Sequence, residues 1–443
     1  DLGASVDFAQ GIKGNISQLA VVDGSEDLHA DLIAVLAADS TVNIKVEDAV
    51  NNADKVKALN GIRKGVTSGT ITAASVSITA TEATNFKTTT GYFDAADPLT
   101  ITISNAIGVG AFKKLDGISN KDVKLTAGLE DDLSALMKNA TTLTDDAKKA
   151  NDQNATALKI KVKDEVKTAS LSTLNGLAGK TTGEITASVA STAAAGASLG
   201  NLKTTDNITF SITGDGSVAQ FATLSGQTKA TKITTDGSIT GTAMSDFIKD
   251  DGTYDTKTDN YAAAKDHTED VNISIADAGE TYLTVGDKKV IISLNTLMTD
   301  AEGAVTAVLK DTAGHLLSNA ADTVLSTSKN DAITIDVGTQ TVDAAALTAI
   351  KKLADQTAAA GATKGGVDKF KGNLTISAAD VATLNGYTNL TTASNDIAFT
   401  LNSEISIGEA AKLVAKLGSG ASVDFAQGIK GGIGDLAKTD GTE

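Results

Sequence analysis

Short runs of alternating apolar and polar residues, each leading into an apolar stripe at helical spacing, recur along this chain. In Val42-Asn43-Ile44-Lys45-Val46 the apolar side chains fall on one face of a strand and the polar ones on the other. The pattern then predicts a helix over 47–58 that ends in Leu59-Asn60-Gly61. A second copy runs from Leu158-Lys159-Ile160-Lys161-Val162 through 163–173 into Leu174-Asn175-Gly176, where Val166, Ser170, Leu171 and Leu174 share one helical face. A third runs from Leu374-Thr375-Ile376 into Leu384-Asn385-Gly386. The glycine that follows Leu-Asn is expected to take the left-handed conformation that closes a helix. Thr67-Ser68-Gly69 and Thr181-Thr182-Gly183 then turn the chain into another strand.

One unit is thus strand, helix, strand, and strand starts near 42, 100, 158, 207, 271 and 332 set a spacing of roughly 50 to 64 residues. Neither the strand nor the helix buries its apolar face alone, so neighbouring units are expected to stack. The predicted class is an α/β repeat, elongated and solenoid-like, with a string of small α+β domains as the alternative. The chain divides into 1–41, the end of a preceding unit; 42–227, strand-helix-strand repeats; 228–331, an irregular β-rich region without a Leu-Asn-Gly copy; 332–417, strand-helix repeats; and 418–443.

That last segment opens a longer repeat. Gly3 to Gly14 recurs unchanged at Gly420 to Gly431, 417 positions further on, and Ile16, Leu19, Ala20, Asp23 and Gly24 keep the register at Ile433, Leu436, Ala437, Asp440 and Gly441. With no initiating Met and no signal peptide, the chain reads as a segment of a larger tandem array.

Composition narrows the function. Hydrophobic residues make up 41% of the chain, enough for a core, yet aromatics are 3% and Trp is absent. Binding hot spots draw on Trp, Tyr and Arg, so large pockets and sticky interfaces are disfavoured, as is an enzyme with an aromatic-lined cleft. A net charge of −17 argues against nucleic acid, whose phosphates need basic stripes. No cysteine is present, which removes disulfides and thiolate chemistry, and no apolar run is long enough to cross a membrane.

Candidate chemistry is sparse. His29, His267 and His315 are far apart and lack a metal-binding spacing. Gly108-Val109-Gly110 is a fragment of a dinucleotide loop without its third glycine and reads better as a helix entry. Asp251, Asp255 and Asp259 offer oxygen ligands at alternating positions in a loop with Gly252, a pattern suited to calcium, against the competing reading of a solvated turn. No catalytic residues and no cofactor besides calcium are expected.

The run Leu174-Asn175-Gly176-Leu177-Ala178-Gly179-Lys180-Thr181-Thr182-Gly183-Glu184-Ile185-Thr186-Ala187-Ser188, with echoes near 59 and 384, resembles giant repetitive cell-surface proteins of marine cyanobacteria, those of swimming motility among them. The acidic, cysteine-free, Ala- and Thr-rich composition is similar too. The resemblance implies an outer-surface, extracellular location and a structural role in a filament or layer serving motility or attachment. Its partners would be copies of itself and cell-surface components. An adhesin stalk or calcium-dependent surface-binding module is the alternative, and a secreted enzyme the least favoured.

Overall fold

The computed structural model describes residues 8, 10–89, 92–94, 96–229, 233–249, 256–266, 268, 271–275, 289–301, 303–310, 332–348, 367–381, 396–415, 417, 421–432 and 435. The fold is α/β, built on parallel strands laid down in chain order. By contacts the chain separates into two bodies. One comprises Asp1–Ser191, Ser198–Phe210 and Gln227–Ala230; the other comprises Thr192–Ala197, Ser211–Gly226 and Thr231–Glu443.

In the first body, the strands Ile12–Gly14, Ile44–Val50, Ile71–Ile78, Ile101–Ile103 and Val123–Leu125 form one sheet in that order, every neighbouring pair parallel. A second sheet in the same body takes up Leu129–Asp131, Ile160–Val162 and Ile185–Ser191, again parallel and in order. A parallel bridge between Ile107 and Leu129 joins the two. The second body carries an eight-stranded sheet in the order Gly216–Ser217, Ser238–Gly241, Asn272–Ile275, Val305–Lys310, Ala332–Thr341, Val367–Ile376, Asp396–Leu401 and Ala421–Asp424. All seven of its pairings are parallel.

Aliphatic residues meet in register along these ladders. Ile44 sits between Ile12 and Ile71, Ile160 between Leu129 and Ile185, and Ile273 between Ile239 and Val305. Their side chains point to one face, where the helices Ala53–Gly65, Val109–Asp116, Leu171–Ala178 and Val218–Gly226 supply Leu59, Ile62, Phe112, Leu174, Leu177 and Phe221. All of these are fully buried. The other face of the first body's sheets stays open and polar, with Lys13, Lys45, Lys124 and Lys161 exposed. Parallel sheets are usually covered on both faces and read as continuous apolar runs. Covering only one face explains why these parallel strands alternate.

The few aromatics serve the core. Phe86 and Phe93 meet edge to face at 5.6 Å between ring centres, and Phe247 and Tyr261 do so at 5.3 Å.

The sequence units resolve more finely in the structure. The interval between Ile44 and Ile101 already holds two strands of one ladder, since the Ile71 strand intervenes. The expected helix over 47–58 starts later, because the strand runs on to Val50 and Asn52 caps Ala53–Gly65 by accepting from Lys55 N–H at 2.9 Å. The stretch 163–173 is likewise divided: Val166–Lys167 is a short strand and the helix begins at Leu171. Between 228 and 331, three described strands continue the ladder, starting at Ser238, Asn272 and Val305.

Candidate functional site: the links between successive strand-helix passes

The Leu-Asn-Gly triplet does not close a helix. Leu59-Asn60-Gly61 lies inside Ala53–Gly65, and Leu174-Asn175-Gly176 inside Leu171–Ala178. Neither glycine has a positive φ. The three positions do three different things. Leu59 and Leu174 are buried in the core. Asn60 reaches forward, donating from Nδ2 to Asn85 O at 2.7 Å and accepting from Lys87 N–H at 3.3 Å. Asn175 Oδ1 accepts from Asn201 N–H at 2.8 Å, and Asn201 Nδ2 donates back to Asn175 O at 2.9 Å. Glycine admits the preceding pass: a Cβ on Gly61 would lie 2.2 Å from Glu26 O, and one on Gly176 would lie 1.8 Å from Ala140 O. The triplet is therefore a docking motif that holds the pass before it and the pass after it. Leu384, Asn385 and Gly386 lie outside the described residues.

A second link repeats just before the strands. Thr181 Oγ1 donates to Leu158 O at 2.6 Å and accepts from Gly183 N–H at 2.9 Å. Thr235 makes the same pair of bonds, to Gly214 O at 2.9 Å and from Gly237 N–H at 3.1 Å. The glycine of this Thr-x-Gly turn again meets backbone, since a Cβ on Gly69 would fall 2.1 Å from Val42 O and one on Gly183 2.3 Å from Leu158 O.

At the far end of the strands, carboxylates reach back to unpaired N–H groups at helix starts. Asp48 accepts from Ile16 N–H at 2.7 Å, Asp131 from Val109 N–H at 2.9 Å and Asp164 from Leu133 N–H at 2.8 Å. The Asp131 bond sits at the Gly108-Val109-Gly110 fragment, where Gly108 caps the helix Val109–Asp116. The fragment thus forms a helix entry, with the Asp131 carboxylate on the first free N–H of that helix.

Charged clusters reinforce the links. Glu26 accepts from Tyr92 Oη at 2.9 Å and pairs with Lys87 at 2.7 Å, while Lys87 lies 5.1 Å from the centre of the Tyr92 ring. Partial burial would raise the Glu26 carboxyl, but the bonds from Lys87 and Tyr92 outweigh it and hold the group below its ordinary value. Beside this cluster Arg63 donates to Val66 O at 3.0 Å and Gly69 O at 3.1 Å. Its Nε lies 2.9 Å from Asp97 Oδ2, a close ion pair without hydrogen-bond alignment. Asp97 is 1% exposed, and its burial raises the carboxyl despite the bond from Ile71 N–H and the nearby guanidinium. In the second body, Asp300 pairs with Lys257 at 2.8 Å and Lys265 at 3.2 Å, which hold it below its ordinary value against desolvation.

Of the expected calcium ligands, Asp259 opens the helix Asp259–Asp266 and pairs with Lys249 at 2.7 Å, its side chain 93% exposed. Asp251 and Asp255 lie outside the described residues, as do His267 and His315. His29 caps the helix Ala30–Ala38, with Asp31 3.7 Å away. Among the described residues no group of three or more His, Asp or Glu is placed to hold a metal ion, and no helix is long and apolar enough to cross a membrane. A cavity lined by Ile239, Tyr261, Lys265, Thr268, Val271, Ile273 and Ala301 measures about 10 Å³, room for one water molecule.

The links were only partly visible in the sequence. Thr-x-Gly and Leu-Asn-Gly recur, but their partners are backbone atoms some 20 to 36 residues away, which no local pattern names. Compared with known proteins, the chain matches no family, no curated protein and no solved structure.

Proposed function

We propose that this chain is a structural segment of a giant extracellular tandem-repeat protein, forming a filament or cell-surface layer that serves motility or attachment. The observation that carries this reading is the density of bonds made between successive passes. Leu-Asn-Gly, Thr-x-Gly and the carboxylate caps all use recurring side-chain chemistry to hold one pass to the next. The side chains of Asn60, Asp48 and Thr181 are engaged with the backbone of neighbouring passes. In repeat architectures such nearest-neighbour links let length grow without a thicker core. On this reading the passes form an elongated, solenoid-like stack, and the acidic surface keeps a long body soluble.

Immunogold electron microscopy of intact source cells with an antibody to this chain tests the proposal. Gold distributed along surface fibres or across a surface layer supports it. Gold confined to the cell interior, or to the tips of isolated stalks, contradicts it, and the second pattern would favour the adhesin alternative.

A further inference from the structure

Seven Asn-x-Ser/Thr triplets, the acceptor pattern for N-linked glycans, occur along the chain, and six of them lie among the described residues. In four the middle residue belongs to the core: Ile16 is 1% exposed, Ile208 0%, Ile273 2% and Leu374 0%. Asn207, Asn272 and Asn373 sit in strands of the parallel ladders, and Asn15 precedes the helix Ile16–Leu19. An enzyme that must take the triplet into its own cleft reaches none of these without opening the fold. In the fifth, Asn154-Ala155-Thr156, the carboxamide is engaged on both sides. Its Nδ2 donates to Ala150 O at 2.8 Å and to Val123 O at 3.3 Å, and its Oδ1 accepts from Leu125 N–H at 3.0 Å.

Asn139-Ala140-Thr141 is different. It forms the end of a small antiparallel hairpin, Met137–Asn139 with Thr142–Leu143, set off from the parallel ladders. The base of the hairpin is fixed. Met137 and Leu143 are buried, Thr144 N–H donates to Leu136 O at 3.0 Å, and Ala140 O lies against Gly176. The tip is uncovered, with Lys138, Asn139, Thr141 and Thr142 all exposed. Asn139 Oδ1 accepts from Thr141 N–H at 2.9 Å and from Thr141 Oγ1 at 3.0 Å, the local turn that a short carboxamide makes with the residue two ahead. That occupies the oxygen and leaves Nδ2, which carries two hydrogens, without a partner among the described residues.

We propose that Asn139 is an N-glycan acceptor, with a lipid-linked oligosaccharide as the donor. In the transfer Nδ2 bonds to C1 of the first sugar, the bond from C1 to the polyprenyl diphosphate oxygen breaks, and Nδ2 gives up one proton; nothing is oxidised or reduced. Transfer at this position needs no strand to leave its ladder and breaks no bond between passes. The inference rests on the extracellular location proposed above, because such transfer acts on chains that cross a membrane.

Two measurements test it. In the first, the folded full chain is incubated with a single-subunit oligosaccharyltransferase that reads Asn-x-Ser/Thr and with a polyprenyl-diphosphate oligosaccharide, then digested and mapped by mass spectrometry. Cleavage after Lys138 and Lys148 gives a peptide that carries this triplet alone. Asn139 should gain the mass of the glycan while Asn154, Asn207, Asn272 and Asn373 do not. Thr141→Ala, which leaves Asn139 in place, should abolish the gain, and circular dichroism confirms that this variant is folded. No glycan on Asn139, or glycan on the ladder triplets at the same yield, would overturn the proposal. In the second, the same map is made on the chain isolated from source cells, where Asn139 should be occupied. A bare Asn139 on a chain that immunogold places at the cell surface sinks this inference alone, whereas a bare Asn139 on a chain confined to the cell interior sinks it together with the proposed location.

Discussion

Gly61 and Gly110 both sit in helices, yet the same substitution should move stability in opposite directions at the two positions. In the helix Val109–Asp116, Gly110 has nothing within 4 Å of a built Cβ, so Gly110→Ala should stabilise by about 0.5 to 1 kcal/mol through helix propensity. Gly61→Ala places a methyl 2.2 Å from Glu26 O, a backbone atom that gives way only if the whole pass shifts. It should destabilise by roughly 1 to 3 kcal/mol despite the same gain in propensity. Urea denaturation of the two variants beside the parent protein reads both signs, and a stabilised Gly61→Ala would remove the docking role assigned to the triplet. The sequence marked Gly61 as special but suggested the wrong reason. A left-handed cap and a close backbone approach both demand glycine, and only the position of Glu26 tells them apart.

The alternation of Val42, Ile44 and Val46 with Asn43 and Lys45 was legible because one sheet face is open, so burial keeps the two-residue period. Helix starts were less legible. Asn52 caps a helix only after the strand has run to Val50, and the sequence there also suits an earlier start. Leu174, fully buried in the helix Leu171–Ala178, tests the packing of one element on the next. Leu174→Ala should cost roughly 2 to 5 kcal/mol in thermal or chemical melts, and a loss under about 0.5 kcal/mol would place the triplet at the surface.

The Glu26 cluster ties elements in a pH-dependent way. Its carboxyl is held below the ordinary value of 4.5, so the stability it contributes is present above that pH and is lost as pH falls through the lowered folded value. Glu26→Gln should therefore melt below the parent protein at neutral pH, with the gap closing under acid. A gap that is constant with pH would show that the charge on Glu26 is irrelevant to the link.

On the proposed solenoid-like reading, parallel strands in sequential order let each pass rest mainly on its neighbours, with links that mostly reach one pass forward or back and the Glu26 cluster reaching two. The repeat of Gly3 to Gly14 at Gly420 to Gly431 then makes a natural joining point. Solution X-ray scattering on a tandem protein tests this most directly, with the second copy fused so that one twelve-residue segment serves both. The account predicts a maximum dimension about twice that of the single chain and an unchanged cross-sectional radius, as expected for stacking in one dimension. A maximum dimension close to that of the single chain, with a larger cross-section, would contradict it.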